Sequence, residues 1–512
     1  MASSLIRGKH LICAITDDDQ AEIIEDGALF QRDGQIIEVG RYDKLSQRVQ
    51  PDAVLGDGSH IVVPGFVNAH HHLGITPIQL GCPDVPLELW IPHRLAARSV
   101  DPYLDTLYSA FEMIESGITT AQHINSLFFG PVEPCAQVAE AVLRAYRDIG
   151  MRVSYSFMMH DQNHLVYEAD DQFVARLPPA LGRRMAEFFH ALELPVADQL
   201  KLFEELHQRH QQEPLIRIQL APGNLHWSSD ELLEMFADIS TRFAVPMHMH
   251  LVETPYQKEY ARRRTGTTAV HYLHRHKLLS DKMTLGHGVW LTDDDIDILA
   301  DTHTHVCHCP SSNLRLRSGI APLNRLTARG IDVAIGIDEA GINDDRDMLQ
   351  EMRLMLNLHR EPGLEHAVPS PERVFRMATE HGAKTTPFGS QIGTLKPGKA
   401  ADVVLIRWQQ VAGPYMDTDV PVTRAMLHRA KSSGIDTVIV AGDPIYRDGH
   451  FMKIDKEAVV RELAESLQVP LTAGEAHRRN IAGELHHHVD AFYRGYLHSD
   501  VRKPYYQRNS SV

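Results

Sequence analysis

The sequence predicts an α/β fold: a (β/α)8 TIM-like barrel with a small β-sandwich domain formed by both chain termini. Three observations predict it. Between roughly residues 62 and 395, strand-sized apolar runs alternate eight times with amphipathic helices. Both ends of the chain carry short β-rich pieces broken by turns. Histidines and carboxylates fall at the ends of the apolar runs, where parallel barrels hold their chemistry. The boundaries that follow are 1–62 and 396–455 for the composite β domain, 63–395 for the barrel, and 456–512 for a C-terminal helical extension.

Taken in order, residues 27–30 and 35–39 read as strands around Asp33-Gly34, a hairpin dipeptide. The barrel strands are expected to end near His70, His123, Met159, Ala221, His250, His287, His308 and Asp338. Residues 104–116 read as a helix stopped by Gly117. Residues 347–359 read as a helix burying Leu349, Met352 and Leu356. Residues 160–210 exceed what a β-α connection needs, and two helices are expected there, 183–194 and 198–210. A substrate lid and an extra packing helix pair are equally good readings of that excursion. Residues 401–406 and 437–442 return to strand texture, Arg447-Asp448-Gly449 to a turn, and the tail after Asp455 to helix, turn, helix.

Composition bounds the function classes. At 512 residues the chain can bury a large core. A net charge of −16 without a basic run argues against a nucleic-acid backbone binder. The apolar runs are too short for a transmembrane helix, and residues 1–13 do not read as a signal peptide. Cys13, Cys82, Cys135, Cys307 and Cys309 are sparse and odd in number, which favours a reducing, cytoplasmic setting over a disulfide framework. The expected partner is a small-molecule substrate, and a homo-oligomer is compatible with such an enzyme.

The chemistry lies in separated fragments. His70 and His72 are two apart on an expected strand, so both imidazoles face one side and can reach one ion, while His71 points away. His250 is nearer its strand end than His248 and is preferred as the next ligand. Glu253, three further on, can shuttle protons between a metal-activated water and a leaving group. His287, between Gly286 and Gly288, is read either as a weak ligand or as a group that orients or polarises the attacked atom. Asp338 closes a buried apolar strand, where a carboxylate is costly unless paired or metal-bound. It is a candidate ligand and a candidate base. Three histidines and one aspartate leave a position for water, whose pKa a divalent ion lowers towards ~7.

Other candidates are weaker. Cys307-His308-Cys309 lacks a second cysteine pair, and His308 is read as lining the barrel mouth. The tract His486-His487-His488 sits in a polar helical tail. Trp90, His160, Asn224 and His308 are assigned to substrate binding, and Trp90, Phe128, Phe129, Phe157, Met158 and Met159 are apolar pocket candidates with core packing as the competing reading.

These residues resemble the amidohydrolase superfamily, most of all the branch of S-adenosylhomocysteine/methylthioadenosine, guanine and cytosine deaminases and triazine hydrolases. The likeness runs from about residue 23 to 449. It rests on Pro64-Gly65-Phe66-Val67-Asn68 with His70 and His72, Ser116-Gly117-Ile118-Thr119-Thr120, His250 with Glu253, Gly286-His287, Pro310-Ser311-Ser312-Asn313, Gly336 to Asp338, and Gly398-Lys399-Ala400-Ala401-Asp402. The resemblance implies one divalent metal ion per chain, held by His70, His72, His250 and Asp338, with Glu253 and His287 as acid/base partners. Residues 217–220 offer no lysine, the bridging residue of the binuclear members. Zinc is the expected ion and iron the alternative. The chain departs from the deaminase pattern at Glu339, in residues 81–86, which lack an Arg-Gly and paired acids, and in the long 160–210 excursion.

The expected function is hydrolysis of a non-peptide C–N bond through a metal-bound hydroxide, first as deamination of a cyclic amidine. The alternative is cleavage of an amide, urea or carbamate of a partly apolar substrate. A non-catalytic scaffold is disfavoured because all four ligand residues are present.

Overall fold

Eight parallel strands organise the middle of the chain in the computed structural model, which describes residues 3–126, 129–364 and 368–497. They are β1 (Phe66–His71), β2 (Ile118–Asn125), β3 (Arg152–Met159), β4 (Ile216–Ile218, continued by Ala221–Pro222), β5 (Met247–Leu251), β6 (Met283–His287), β7 (His305–His308) and β8 (Val333–Ile335). β1 to β4 pair in sequence, as do β5 to β8. Isolated parallel bridges join the two sets, Leu220 to Met247 and Asn224 to His250 on one side and His71 to Asp338 on the other. The ring so formed brings the ligand-type residues of β1, β5, β6 and β8 to one end. The strands are buried on both faces, which is why they read as near-continuous apolar runs. The fourth strand differs from expectation by breaking at Gln219-Leu220; Pro222 has no N–H to extend a ladder.

The outer helices follow their capping signals. Asp101 accepts from the amides of Tyr103 and Leu104 to start Pro102–Glu115, which ends at Ser116 before Gly117 at φ +90°. Asp347 caps Met348–Leu358 through the amide of Gln350. The excursion divides in two. Val196–His210 packs on β4 and on Val132–Ile149, so it is the barrel's own outer helix, whereas Asp170–Ala175 and Pro179–Leu192 are additional. The tail helices Lys456–Gln468 and Ala473–Tyr493 pack on Pro102–Glu115 and Leu87–Leu95. Among the described residues no helix is long and apolar enough to cross a membrane. All five cysteines are free and buried.

Strands from both termini form one nine-stranded sheet, where the sequence suggested a sandwich. Val403–Arg407 pairs antiparallel with His60–Pro64 and so joins the two ends of the chain. Ile6, Leu11, Val62, Val403 and Leu405 share a core of their own. Asp33 and Gly34 take positive φ, +51° and +82°, as the tight hairpin requires.

Asp402, the end of the last sequence motif, ties this sheet to the barrel. Its carboxylate receives Nε and Nη2 of Arg152 at 2.8 and 2.9 Å, and both side chains are almost fully buried. Removing one partner strands the other charge in the interior. Asp402→Ala is therefore expected to cost about 3–5 kcal/mol, read from the midpoint of urea unfolding. A change within experimental error would contradict this role.

Candidate metal and catalytic site

Four donors converge at the barrel mouth. Nε2 of His72 lies 3.0 Å from Nε2 of His70, 3.2 Å from Nε2 of His250 and 3.2 Å from Oδ1 of Asp338. Nε2 of His70 lies 3.6 Å from the same Oδ1. Two ligands at ~2.0–2.1 Å from a tetrahedral zinc ion lie about 3.3 Å apart. The spacing fits a single ion of that size. The far ring nitrogens are held. Nδ1 of His72 donates to the carbonyl of Ile124 at 2.6 Å and Nδ1 of His250 to that of Gly223 at 3.0 Å, so it is Nε2 of each ring that faces the cluster. Nδ1 of His70 meets Nε2 of His248 at 2.8 Å, so His248 supports the cluster from behind. His71 turns away to Oγ of Ser109.

Electrostatics favour the ligand forms of His70, His250 and Asp338. Burial, then the neighbouring imidazoles, hold His70 and His250 well below the usual imidazole range, so both are neutral. Burial opposes ionisation of Asp338, but hydrogen bonding from His72, the charges of His72 and His287, and the hydroxyl of Ser312 at 2.5 Å outweigh it and hold the carboxyl below its ordinary value. His72 is the exception: burial lowers it, but Asp338 raises it further, to a net value above the ordinary one, so an ion bound there would displace a proton. His287 and Asp338 adopt positive φ, +70° and +64°, a strained conformation for residues other than glycine that re-aims the side chains as their strands end. Gly336 is required by proximity: a Cβ there would lie 2.5 Å from Cβ of His70 and 2.8 Å from Sγ of Cys309. Cys307 and Cys309 pack behind His70 with Ala69 and Ala334, and burial pushes the Cys309 thiol up, away from the thiolate a metal ligand needs.

Glu253 and His287 stand together beside the donors. Oε2 of Glu253 is 3.8 Å from Nε2 of His287, and its Oε1 accepts from Oγ of Ser318 at 3.1 Å. Burial raises the Glu253 carboxyl above its usual range and favours its proton-carrying form. Nδ1 of His287 meets Oδ1 of Asn313 at 2.9 Å. Nδ2 of Asn313 in turn meets Nδ1 of His308, and Nε2 of His308 meets Nε2 of His359. His308 is thus a correction to the sequence reading. It is fully buried and absent from the cavity wall, and the helix Pro310–Arg315 places Asn313 between it and His287.

An open cavity of roughly 1250 Å³, counting solvent at its mouth, covers this cluster. Trp90, Asn224 and His160 line it, as does His164 from the excursion. Of the apolar candidates, Phe129 and Met158 line it, Phe157 and Met159 lie in the core, and Phe128 lies outside the described residues. The histidine tract falls in Ala473–Tyr493, where His486 meets His93 at 3.2 Å, and it is not among the converging metal-type clusters of the described residues. Sequence reasoning missed Ser312 and Asn313 as individual supports, although their motif opens the helix after β7, and it missed Ser318, Gln257, His226 and Arg94.

The turn carrying Ser312 and Asn313 rests on Glu351, whose Oε1 accepts from the amide of Ser311 at 2.9 Å. Burial pushes the Glu351 carboxyl up to about 7, against the hydrogen bonds of Ser311. An unfolded glutamate titrates near ~4.3. Between those values the folded protein keeps a proton that the unfolded chain has lost, so stability falls as pH rises through the window. Glu351→Gln keeps the hydrogen bonds and removes this slope. Urea unfolding from pH 5 to 8 should show the variant gaining on the order of 3 kcal/mol relative to wild type; parallel curves would contradict it.

The family model for the amidohydrolase family matches residues 61–445. The chain belongs to this family and is a hydrolase acting on carbon–nitrogen bonds. It is 30% identical over 460 residues to a 5'-deoxyadenosine deaminase of Methanothermobacter thermautotrophicus, covering 88% of this chain and 97% of that one. It is 29% identical over 455 residues to a 5-methylthioadenosine/S-adenosylhomocysteine deaminase of Pyrococcus furiosus, with the same coverage of 88% and 97%. Its fold matches the crystal structure of an adenosine deaminase from Xanthomonas campestris with bound zinc, at a TM-score of 0.76 and 23% identity, covering 90% of this chain and 97% of that chain.

Proposed function

We propose that this protein removes the amino group of a cyclic amidine within a nitrogen heterocycle by hydrolysis, using one divalent ion, zinc first and iron second, held by His70, His72, His250 and Asp338. The observation that carries the reading is the buried Glu253–His287 pair beside the four-donor cluster, beneath a largely apolar cavity. The deaminase names of the curated relatives support it.

When bound, the ion supplies a water acidified towards ~7. The chain's own groups handle protons and position. Asp338, ionised and steadied by Ser312, takes the proton of the attacking water. Glu253, biased towards its protonated form, delivers its proton to the ring nitrogen and recovers one from the hydroxyl of the added water as the carbonyl forms, while the proton taken up by Asp338 passes to the departing amine. Asn313 fixes His287 so that Nε2 faces Glu253 and the reacting carbon's substituent. The oxygen of water replaces the amino nitrogen, which leaves as ammonia.

The test is ammonia release from purines, nucleosides, pyrimidines and aminotriazines, with mass spectrometry of the same reactions. Ammonia with the matching oxygenated ring supports deamination. The apolar wall suits an aryl amide or urea as well, and a larger amine plus an acid in place of ammonia would select that second reading. The free, buried cysteines fit a cytoplasmic setting, and the chain's negative charge fits a small-molecule partner rather than nucleic acid.

A further inference from the structure

His72 and Asp338 face each other across the seam where the barrel closes. The seam is thinly bonded. Among the described residues β1 and β8 share one isolated bridge, His71 to Asp338, in which the amide of Asp338 donates to the carbonyl of His70 at 2.8 Å. β7 and β8, by contrast, pair along Val306, Cys307 and His308. Asn68 adds a link, its Oδ1 accepting from the amide of Ile337 at 3.0 Å. Yet Nε2 of His72 and Oδ1 of Asp338 stand 3.2 Å apart, the spacing of two ligands on one ion.

Arg346 lies behind this seam and is the largest fully buried side chain of the described residues. Its Nη2 meets the carbonyl oxygens of Leu73 and Glu339 at 2.9 Å each, and that of Gly74 as well. Leu73 directly follows His72, and Glu339 directly follows Asp338. One nitrogen therefore ties the residue after one ligand to the residue after the other. Planar peptide units leave few free rotations between each ligand and the carbonyl that is held.

The tie is anchored from outside. Nη1 of Arg346 donates to Oε2 of Glu112 at 2.7 Å, in the helix Pro102–Glu115. The same helix grips the loop after His72 by its amides: the carboxylate of Asp105 accepts from Gly74 at 2.9 Å and from Ile75 at 2.7 Å. Gly74 leaves no room for a side chain, since a Cβ there would lie 1.8 Å from the carbonyl oxygen of Asp105. The two loops meet once more where Oγ1 of Thr76 donates to Oδ2 of Asp344 at 2.6 Å.

A guanidinium taken wholly out of water is costly, and a well-packed apolar side chain in place of a buried ion pair is often no less stable. Stability alone gives little reason for a cation here. An apolar residue, however, cannot donate to carbonyls on two loops at once.

With His70, His72, His250 and Asp338 taken as the ligands, we propose that Arg346 is a positioning residue of the metal site, a role that rests on that ligand reading. It staples the loop after β1 to the loop after β8 and so holds His72 and Asp338 at ligand spacing before the ion arrives. Arg346 lines no part of the cavity, and its hydrogen bonds go to Glu112 and to main-chain carbonyls, not to a ligand side chain. Its effect falls on the affinity for the ion.

The experiment titrates metal-free wild type, Arg346→Lys, Arg346→Met and Asp402→Ala with zinc against a chromophoric chelator, and records the urea midpoint of each. Lysine keeps the cation but has a single nitrogen, which cannot span Glu112 and both loops. Both Arg346 variants should bind zinc about 10–100-fold more weakly, the usual cost of losing an outer-shell support. Asp402→Ala breaks a buried pair away from the seam, so it should lose stability yet keep zinc affinity within about twofold of wild type. That contrast separates positioning from general destabilisation, and Arg346→Lys decides if the methionine variant does not fold. In wild type, hydrogen exchange of the peptide carrying the Asp338 amide should change by less than about tenfold when zinc is removed, because the staple holds the seam without the ion; this measurement decides if neither variant folds. Wild-type zinc affinity in Arg346→Lys, an equal weakening in Asp402→Ala, or a seam that opens to exchange without zinc overturns the inference and leaves the ligand set standing. Wild-type protein that binds no zinc overturns the ligand reading and this inference with it.

Discussion

Glu253→Gln is expected to lower kcat/KM by about 10²–10⁴-fold, the usual worth of a positioned general acid–base group, while the protein still binds its ion. Glu253 is not among the four converging donors, so the substitution leaves the ion-holding set intact. Glutamine preserves the size of the side chain and can still accept from Ser318 and face His287. It cannot give up and recover a proton. The loss should therefore fall on kcat, with KM little changed, because the missing event belongs to the transition state. Steady-state kinetics together with metal analysis of the same preparation checks this. Full activity in the variant would remove Glu253 from the proton path and leave His287 and Asp338 to carry it.

The second large effect is loss of the ion. His70→Ala should bind no stoichiometric metal and show activity reduced by more than ~10⁴-fold, since without the ion the pKa of the attacking water returns from about 7 towards 15.7. His70 is fully buried and touches three partners at once, His72, His248 and Asp338. Alanine removes one of the proposed ligands and also leaves Nε2 of His248 without its partner. Chelation of the wild-type protein should reproduce the activity loss, and added zinc should reverse it there but not in the variant. Zinc-restored activity in His70→Ala would show that His72, His250 and Asp338 suffice.

Much of this was legible because barrel chemistry sits where apolar strands stop. The period-two rule placed His70 and His72 on one side and turned His71 away, and the structure shows His71 bonded to Ser109 instead. Proximity to the strand end separated His250 from His248. The same rule, applied to β3, would have distinguished Met158, which faces the cavity, from Phe157 and Met159, which face the core. His308 was not legible. It occupies the same kind of strand end as His287, but Asn313 comes between the two, and that depends on how the following helix starts. The 160–210 excursion misled by its length, since its last helix belongs to the barrel and only His160 and His164 of it reach the cavity wall. His226 gave no signal in the sequence, because an isolated histidine after a short broken strand looks like any surface one, and only its burial and its place in the cavity wall distinguish it.

Dependence on a single ion is tested most directly by a zinc titration of metal-free protein followed by ammonia release from the best ring found in the panel. No activity is expected at zero zinc, followed by a linear rise that saturates at one ion per chain. Activity in the metal-free protein, or a rise that continues to two ions per chain, would contradict it.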